Sequence, residues 1–260
     1  MFSFFVKKSE VVVDCFTHHQ AAFEYTPIGY GSKFFPDWWK DTKTSFQTNN
    51  GESVATIKNC IGLIDYYKNS FIIPSWFEMD LNVYEEGNEQ TWNYQSSNNY
   101  VDTESSHPPE AFKGFALENG SNIKFTSPWL IHTKDEVRWV WSQPTWNLRE
   151  HLSTFTVLPA VVEFKYQHGT NVNLFVLNET NFKNTIIKPN TPLVSLHPIS
   201  DKKFIVKNHL ISYDDFIQKK HGSASMFLMR NYKETSKLYA RKRELLNNKE
   251  KNSTCPFHKK

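Results

Sequence analysis

The stretch Glu136–Ser142, EVRWVWS, decides how the chain reads. Val137, Trp139 and Trp141 fall on one side of an extended backbone and Arg138 and Val140 on the other, because successive strand side chains point to opposite faces. β-Branched and aromatic residues in that alternation make a strand with one buried face. The same period of two runs outward in both directions. It recurs in IIPSWFEMDLNVYEE (72–86), QTWNYQSS (90–97), NIKFTSPWLIHT (122–133), TFTVLPAVVEFKY (154–166), NVNLFVLNE (171–179), TIIKPNTPLVSLHPIS (185–200) and KKFIVKNHLIS (202–212). Clusters of Asn, Gly, Pro and Lys separate these runs, the punctuation expected of many short strands. The expectation is an α+β protein whose body, residues 1–212, is mainly an antiparallel β-sandwich or barrel.

Two segments of the body break that period. ESVATIKNCIGLIDYYKNSF (52–71) places Val54, Ile57, Ile61, Ile64 and Tyr67 at helical spacing with Ser53 as a cap, so it predicts one amphipathic helix packed on the sheets. Cys60 lies beside that face and reads as a small core residue. TPIGYGSKFFPDWWKDT (26–42) reads as an irregular packed loop anchored by Phe34, Phe35, Trp38 and Trp39, and FSFFVKKSEVVVDCF (2–16) as an opening hairpin. NYQSSNNYVDTESSHPPEAFKG (93–114) is polar enough to be a loop or lid.

Residues 213–260 form a basic helical tail in this reading, with Ser212 as its cap and Asp214 and Asp215 in its first turn. Residues 201–260 carry 15 Lys or Arg against 6 Asp or Glu, whereas residues 1–200 carry 15 against 21. A basic tail of this kind suits an acidic partner, nucleic acid included, through counterion release. The opening MFSFFVKKSE is no secretory signal, and no window approaches the ~20 apolar residues of a membrane span. With 3 widely spaced cysteines there is no disulfide framework, so the expected setting is a reducing cytoplasm and no membrane.

Chemical motifs are scarce. There is no Gly-x-Ser-x-Gly, no phosphate-binding loop and no Gly-x-Gly-x-x-Gly, and His107, His132 and His197 lack the His-x-Asp/Glu pattern of a facial-triad iron site. Cys15 and His18 share a Cys-x-x-His spacing with Cys255 and His258. Zinc pairs are ordinarily Cys with Cys and His with His, so no metal is assigned, and no motif names a cofactor or a catalytic residue. Trp129, Arg138, Trp146 and Arg149 are the candidate ligand-binding residues, since Trp and Arg in company form stacking and cation-π platforms, although a Trp-rich core is the favoured explanation of the tryptophans.

TIIKPNTPLVSLHPIS is similar to the strand, tight turn and strand that close trimeric dUTPase-like β-clip proteins, over sixteen residues and without that family's Gly-rich and catalytic Asp motifs. A broader resemblance spans residues 26 to 212. FFPDWWKDT, IKNCIGLIDYYKNSFIIPSWFEMDL, IKFTSPWLIHT, FTVLPAVVEF and IIKPNTPLVSLHPIS together resemble a family without an assigned activity, found in tailed-phage genomes and scattered bacteria. Its recurring features fall here on Trp38, Trp39 and Lys40, on Cys60 and Pro74, and on Pro192–Pro198. The resemblance implies a phage-related origin and no activity. The expected function is that of a non-enzymatic structural or binding protein, in the cytoplasm of an infected cell or in the virion, using its aromatic-rich β surface to contact a protein partner or a second copy of itself and its basic tail for assembly or an acidic partner. The competing expectation is a small-molecule enzyme with a pocket in the barrel, metal-assisted, with His107 or His132 near its mouth.

Overall fold

A computed structural model describes residues 10–86, 89–96, 109–115, 121–144, 147, 155–166, 168–176, 185–221, 237 and 241. The elements follow in chain order as β1 (Glu10–Thr17), α1 (Gln20–Tyr25), β2 (Gly29–Tyr30), α2 (Asp37–Asp41), β3 (Ser45–Gln47), β4 (Ser53–Ala55), α3 (Ile61–Lys68), β5 (Phe71–Pro74), β6 (Met79–Glu86) and β7 (Glu89–Ser96). They continue as β8 (Ser121–Phe125), β9 (Leu130–Thr133), β10 (Trp139–Ser142), β11 (Phe155–Val157), β12 (Ala160–Val162), β13 (Val172–Val176), β14 (Thr185–Ile187), β15 (Pro192–Pro198), β16 (Lys203–Leu210) and α4 (Tyr213–His221). The fold is α+β and strand-rich, as the alternation predicts.

The alternation of Glu136–Ser142 is realised in β10, where Val137, Trp139 and Trp141 are buried and Arg138 is exposed. β10 lies inside a five-stranded sheet of order β12-β10-β15-β5-β2, with Trp139 opposite Pro198 and Trp141 opposite Leu196. Both prolines of β15 sit at its ends, where a missing N–H costs the ladder least. There are also three-stranded sheets of order β16-β1-β9, β11-β13-β8 and β14-β6-β7, and among the described residues β3 pairs only with β4. One core unites the larger sheets: Val13, Phe71, Leu81, Trp139 and Leu174 belong to a single buried cluster. Trp139 is its hub, meeting Phe71 edge-on at 5.0 Å and Phe204 at 5.7 Å.

Several expectations need correction. Among the described residues no sheet closes into a barrel. Pairing is antiparallel except between β1 and β16, which run parallel from Glu10↔Lys203 to Thr17↔Leu210 and so place the two ends of the body side by side. β1 takes β16 and β9 as its neighbours, so the opening strand is the middle of a sheet rather than half of a hairpin; residues 1–9 lie outside the described residues. Thr185–Ser200 is not a hairpin either, because β14 pairs with β6 while β15 pairs with β10 and β5. The Pro189-Asn190 turn between them, with Asn190 at φ 64, hands the chain from one sheet to another.

The predicted long helix is the largest departure. Ser53–Ala55 forms β4, Ile57–Asn59 a 3-10 turn, and only Ile61–Lys68 is α-helical. Thr56 ends the strand and caps the turn: its N–H donates to Thr44 O at 2.9 Å and its hydroxyl accepts from the Lys58 N–H at 3.3 Å. The helical spacing misleads because Val54, Ile57 and Ile61 are exposed, and Cys60, read as a core residue, is exposed as well. The packed loop at 26–42 contains a short helix, α2, and of its expected anchors Trp39 is buried while Trp38 is exposed. The polar stretch 93–114 begins in β7 and ends in a 3-10 turn at Pro109–Phe112, with 97–108 outside the described residues.

At the C-terminal side, Ser212 caps α4 as expected. Its Oγ accepts from the Asp215 N–H at 3.2 Å and donates to Asp215 Oδ2 at 2.7 Å. Phe216 is buried and packs on His18 with ring centroids 4.4 Å apart, so the first turns of the tail rest on the body. Among the described residues no helix is long and apolar enough to cross a membrane.

Candidate functional site

Exposed apolar side chains are spread over the body, with Tyr25, Phe115, Val161, Ile186, Ile199 and Leu210 among them, and one segment carries several. Trp38, Phe46, Val54, Ile57, Ile61 and Tyr66, between 36% and 72% exposed, all fall within residues 38–66. At its centre is the β3–β4 hairpin, three register pairs long, in which Phe46 lies directly opposite Val54 and both project from the same side. Every residue of both strands is exposed. Thr48, Asn50 and Gly51 make the turn, with Gly51 at φ 78 and its N–H donating to Thr48 O at 2.9 Å. An isolated two-stranded hairpin is only marginally stable in water, and both outer edges of this one are unpaired among the described residues.

What holds the hairpin in place is a rigid base. Lys58 Nζ donates to Lys40 O at 2.7 Å and Asn59 Nδ2 to Thr44 O at 2.8 Å, tying the end of the hairpin to α2. Behind it Phe35 stacks on Trp39 at 5.6 Å and meets Tyr67 at 5.1 Å, while Tyr67 Oη donates to Asn147 Oδ1 at 2.6 Å. Burial pushes the Tyr67 phenol well above its ordinary pKa, with Tyr66 adding to the shift, so it remains a neutral donor. Gly31 closes the base: its N–H donates to Ser70 O at 2.9 Å, and any Cβ there would collide with Ser70 Oγ and the Tyr67 carbonyl.

On the outer face of the five-stranded sheet, α3 is secured by a polar set. Ser195 Oγ and His197 Nε2 are 2.7 Å apart, the Tyr66 ring lies 3.9 Å from the His197 ring, and Tyr66 Oη is 3.3 Å from Ser142 Oγ. Burial lowers the His197 pKa to about 4, so the imidazole is neutral near pH 7, and Ser195 Oγ and His197 Nε2 share a hydrogen bond whose direction follows the ring tautomer. Ser195 is only 1% exposed.

The residues singled out from the sequence are dispersed. Trp129 is fully buried, its carbonyl accepting from Thr170 Oγ1 at 2.7 Å, and Arg138 is exposed; Trp146 and Arg149 lie outside the described residues. Cys15 is fully buried in β1, where burial and the neighbouring Asp14 raise its thiol pKa, and His18 packs against α4; Cys255 and His258 lie outside the described residues. Among the described residues no three His, Cys, Asp or Glu side chains gather as a metal site. Of the basic tail, Lys219 lies over Phe16 at 4.3 Å, and Lys237 lies 3.7 Å from Glu136 and 5.5 Å over Tyr166. His107 lies outside the described residues, whereas His132 does line a cavity, on the outer face of the β16-β1-β9 sheet.

Sequence reasoning missed the hairpin, although the Asn50-Gly51 pair between two short strand-like runs is a strong local signal for one. Helical spacing across the same residues masked it. Compared with protein-family models and with curated proteins, the chain matches none.

Proposed function

We propose that this chain is a phage-type structural or binding protein that acts through protein–protein contacts, with the β3–β4 hairpin as its contact element and a second copy of the chain as the occupant. The observation that carries this reading is the hairpin itself: two edges unpaired among the described residues, a Phe46–Val54 pair in solvent, and a base that fixes its position. Exposed edges ordinarily carry charged residues or proline that prevent pairing, and SFQ and SVA carry neither. Like edges pair across a two-fold axis, so a second copy supplies the missing third and fourth strands. The resemblance of residues 26–212 to a tailed-phage family agrees with an assembly role, in an infected cell or a virion. One buried cluster shared by strands of several sheets supports a sandwich-like body.

Sedimentation velocity over a hundredfold range of concentration tests the reading. The wild-type chain is expected to form a defined oligomer that Phe46→Asp dissolves while leaving far-UV circular dichroism intact. A monomer at every concentration, or an oligomer indifferent to Phe46→Asp and Val54→Asp, overturns it.

A further inference from the structure

The face of the β16-β1-β9 sheet turned away from the core carries a second feature, independent of the hairpin. In β1 the odd-numbered residues from Val11 to Thr17 are buried, which turns Asp14 and Phe16 to the opposite side, where α4 crosses. Strand register sets His132 opposite Asp14 and Leu130 opposite Phe16 on the same side. His168 reaches this place because its carbonyl accepts from the Ile131 N–H at 2.8 Å and Gly169 bridges to Leu130. Phe16, Leu130, His132, His168 and Lys219 thereby enclose a cavity of about 80 Å³.

The lining has a definite chemistry. The imidazoles of His132 and His168 meet edge to face at 4.9 Å, and His168 is 7% exposed. Lys219 projects from α4 with its ammonium 4.3 Å from the centre of the Phe16 ring. No carboxylate is among the lining side chains. Asp14, opposite His132 in register, pairs with His209, whose Nε2 is 2.8 Å from Asp14 Oδ1 and whose ring stacks on Phe16 at 4.9 Å. His132 from β9, His168 from the segment before β13 and Lys219 from α4 thus line the void together with the apolar Phe16 and Leu130.

We propose that this cavity binds a phosphate-type oxyanion between His132, His168 and Lys219. Ammonium and imidazole N–H groups form charge-assisted hydrogen bonds to such an anion, and a partly enclosed site strengthens them. Size selects the class: at about 80 Å³ the cavity holds more than the ~30 Å³ share of one water, yet falls far below the roughly 300 Å³ of a drug-sized pocket. The anion is thus a free phosphate, or the phosphoryl end of a molecule whose remainder stays outside.

The test is an NMR titration of the full chain, following the His132 and His168 imidazole resonances at fixed ionic strength. Inorganic phosphate, methyl phosphate and sodium chloride are the three additions, and Lys219→Met and His168→Asn the variants, each checked by its melting curve. The expected result is a saturable shift of both imidazoles with phosphate that chloride does not reproduce, weakened about tenfold or more in Lys219→Met, the loss of one charge-assisted hydrogen bond. Methyl phosphate binding as tightly as inorganic phosphate assigns the site to a phosphoryl group on a larger molecule, and binding of inorganic phosphate alone assigns it to the free ion. Shifts no larger than those from chloride, or a Lys219→Met variant that titrates like the wild type, overturn the proposal. Lys219 is on the surface of a capped helix, so its variant reads out even where His168→Asn fails to fold.

Discussion

β10 and the β3–β4 hairpin are made of similar residues and end in opposite surroundings. In β10 every second side chain is an aromatic or β-branched residue sealed in the core, and its neighbours β12 and β15 come from the same chain. In the hairpin Phe46 and Val54 are also paired across strands, but they stand 53% and 38% exposed and no third strand among the described residues joins them. Alternation thus reports that a strand has two unlike faces. It does not report which molecule covers the apolar one.

The sharpest way to break this comparison is to truncate one aromatic in each region. Trp139→Ala is expected to cost about 3–5 kcal/mol, because a cavity opens among Phe71, Phe164 and Phe204. Phe46→Ala is expected to stay within about 0.5 kcal/mol in dilute solution. Urea unfolding measures both, and equal losses would mean that the hairpin belongs to the core. Next in size is Gly31→Ala at the base, where overpacking against Ser70 and the Tyr67 carbonyl is expected to cost about 1–3 kcal/mol.

Acid gives a smaller effect confined to the α3 face. His197 is held neutral in the folded chain, with a pKa of about 4 against an ordinary 6.5, so the unfolded chain takes up its proton first. The stability it contributes is full above about pH 6.5 and is lost as pH falls toward 4. His197→Gln should flatten that limb of a melting-temperature profile, and an unchanged slope would assign the acid sensitivity to other groups. The smallest change is chemical: a thiol reagent applied to the native chain is expected to label exposed Cys60 and spare buried Cys15, read by peptide mass. Labelling of Cys15 at the same rate would show that the β1 region opens readily.

Much of the strand content was legible because Val, Ile, Phe and Trp recur with period two wherever one face meets the core, as in Val137, Trp139 and Trp141. The α4 cap was legible for a similar reason, since Ser212 and Asp215 are close enough in sequence to bond each other. Topology was not. Nothing local in Glu10–Thr17 says that its partner is Lys203–Leu210 or that the pair is parallel, because register between distant strands is fixed by packing. The cavity was hidden likewise: His132 and His168 lie on separate runs, and Lys219 belongs to a tail whose charge suggested solvent or an acidic partner. Val54, Ile57 and Ile61 were misread for a different reason. Helical spacing ordinarily signals a buried face, and among the described residues these three side chains are exposed.

Hydrogen exchange of the native chain, followed by mass spectrometry at low and high protein concentration, addresses the hairpin most directly. If it is completed by a second copy, amides of residues 45–55 exchange fast when dilute and become protected when concentrated, while those of 139–142 stay protected throughout. Protection of 45–55 that is the same at both concentrations, whether strong or absent, would contradict a hairpin that works by pairing with another copy of the chain.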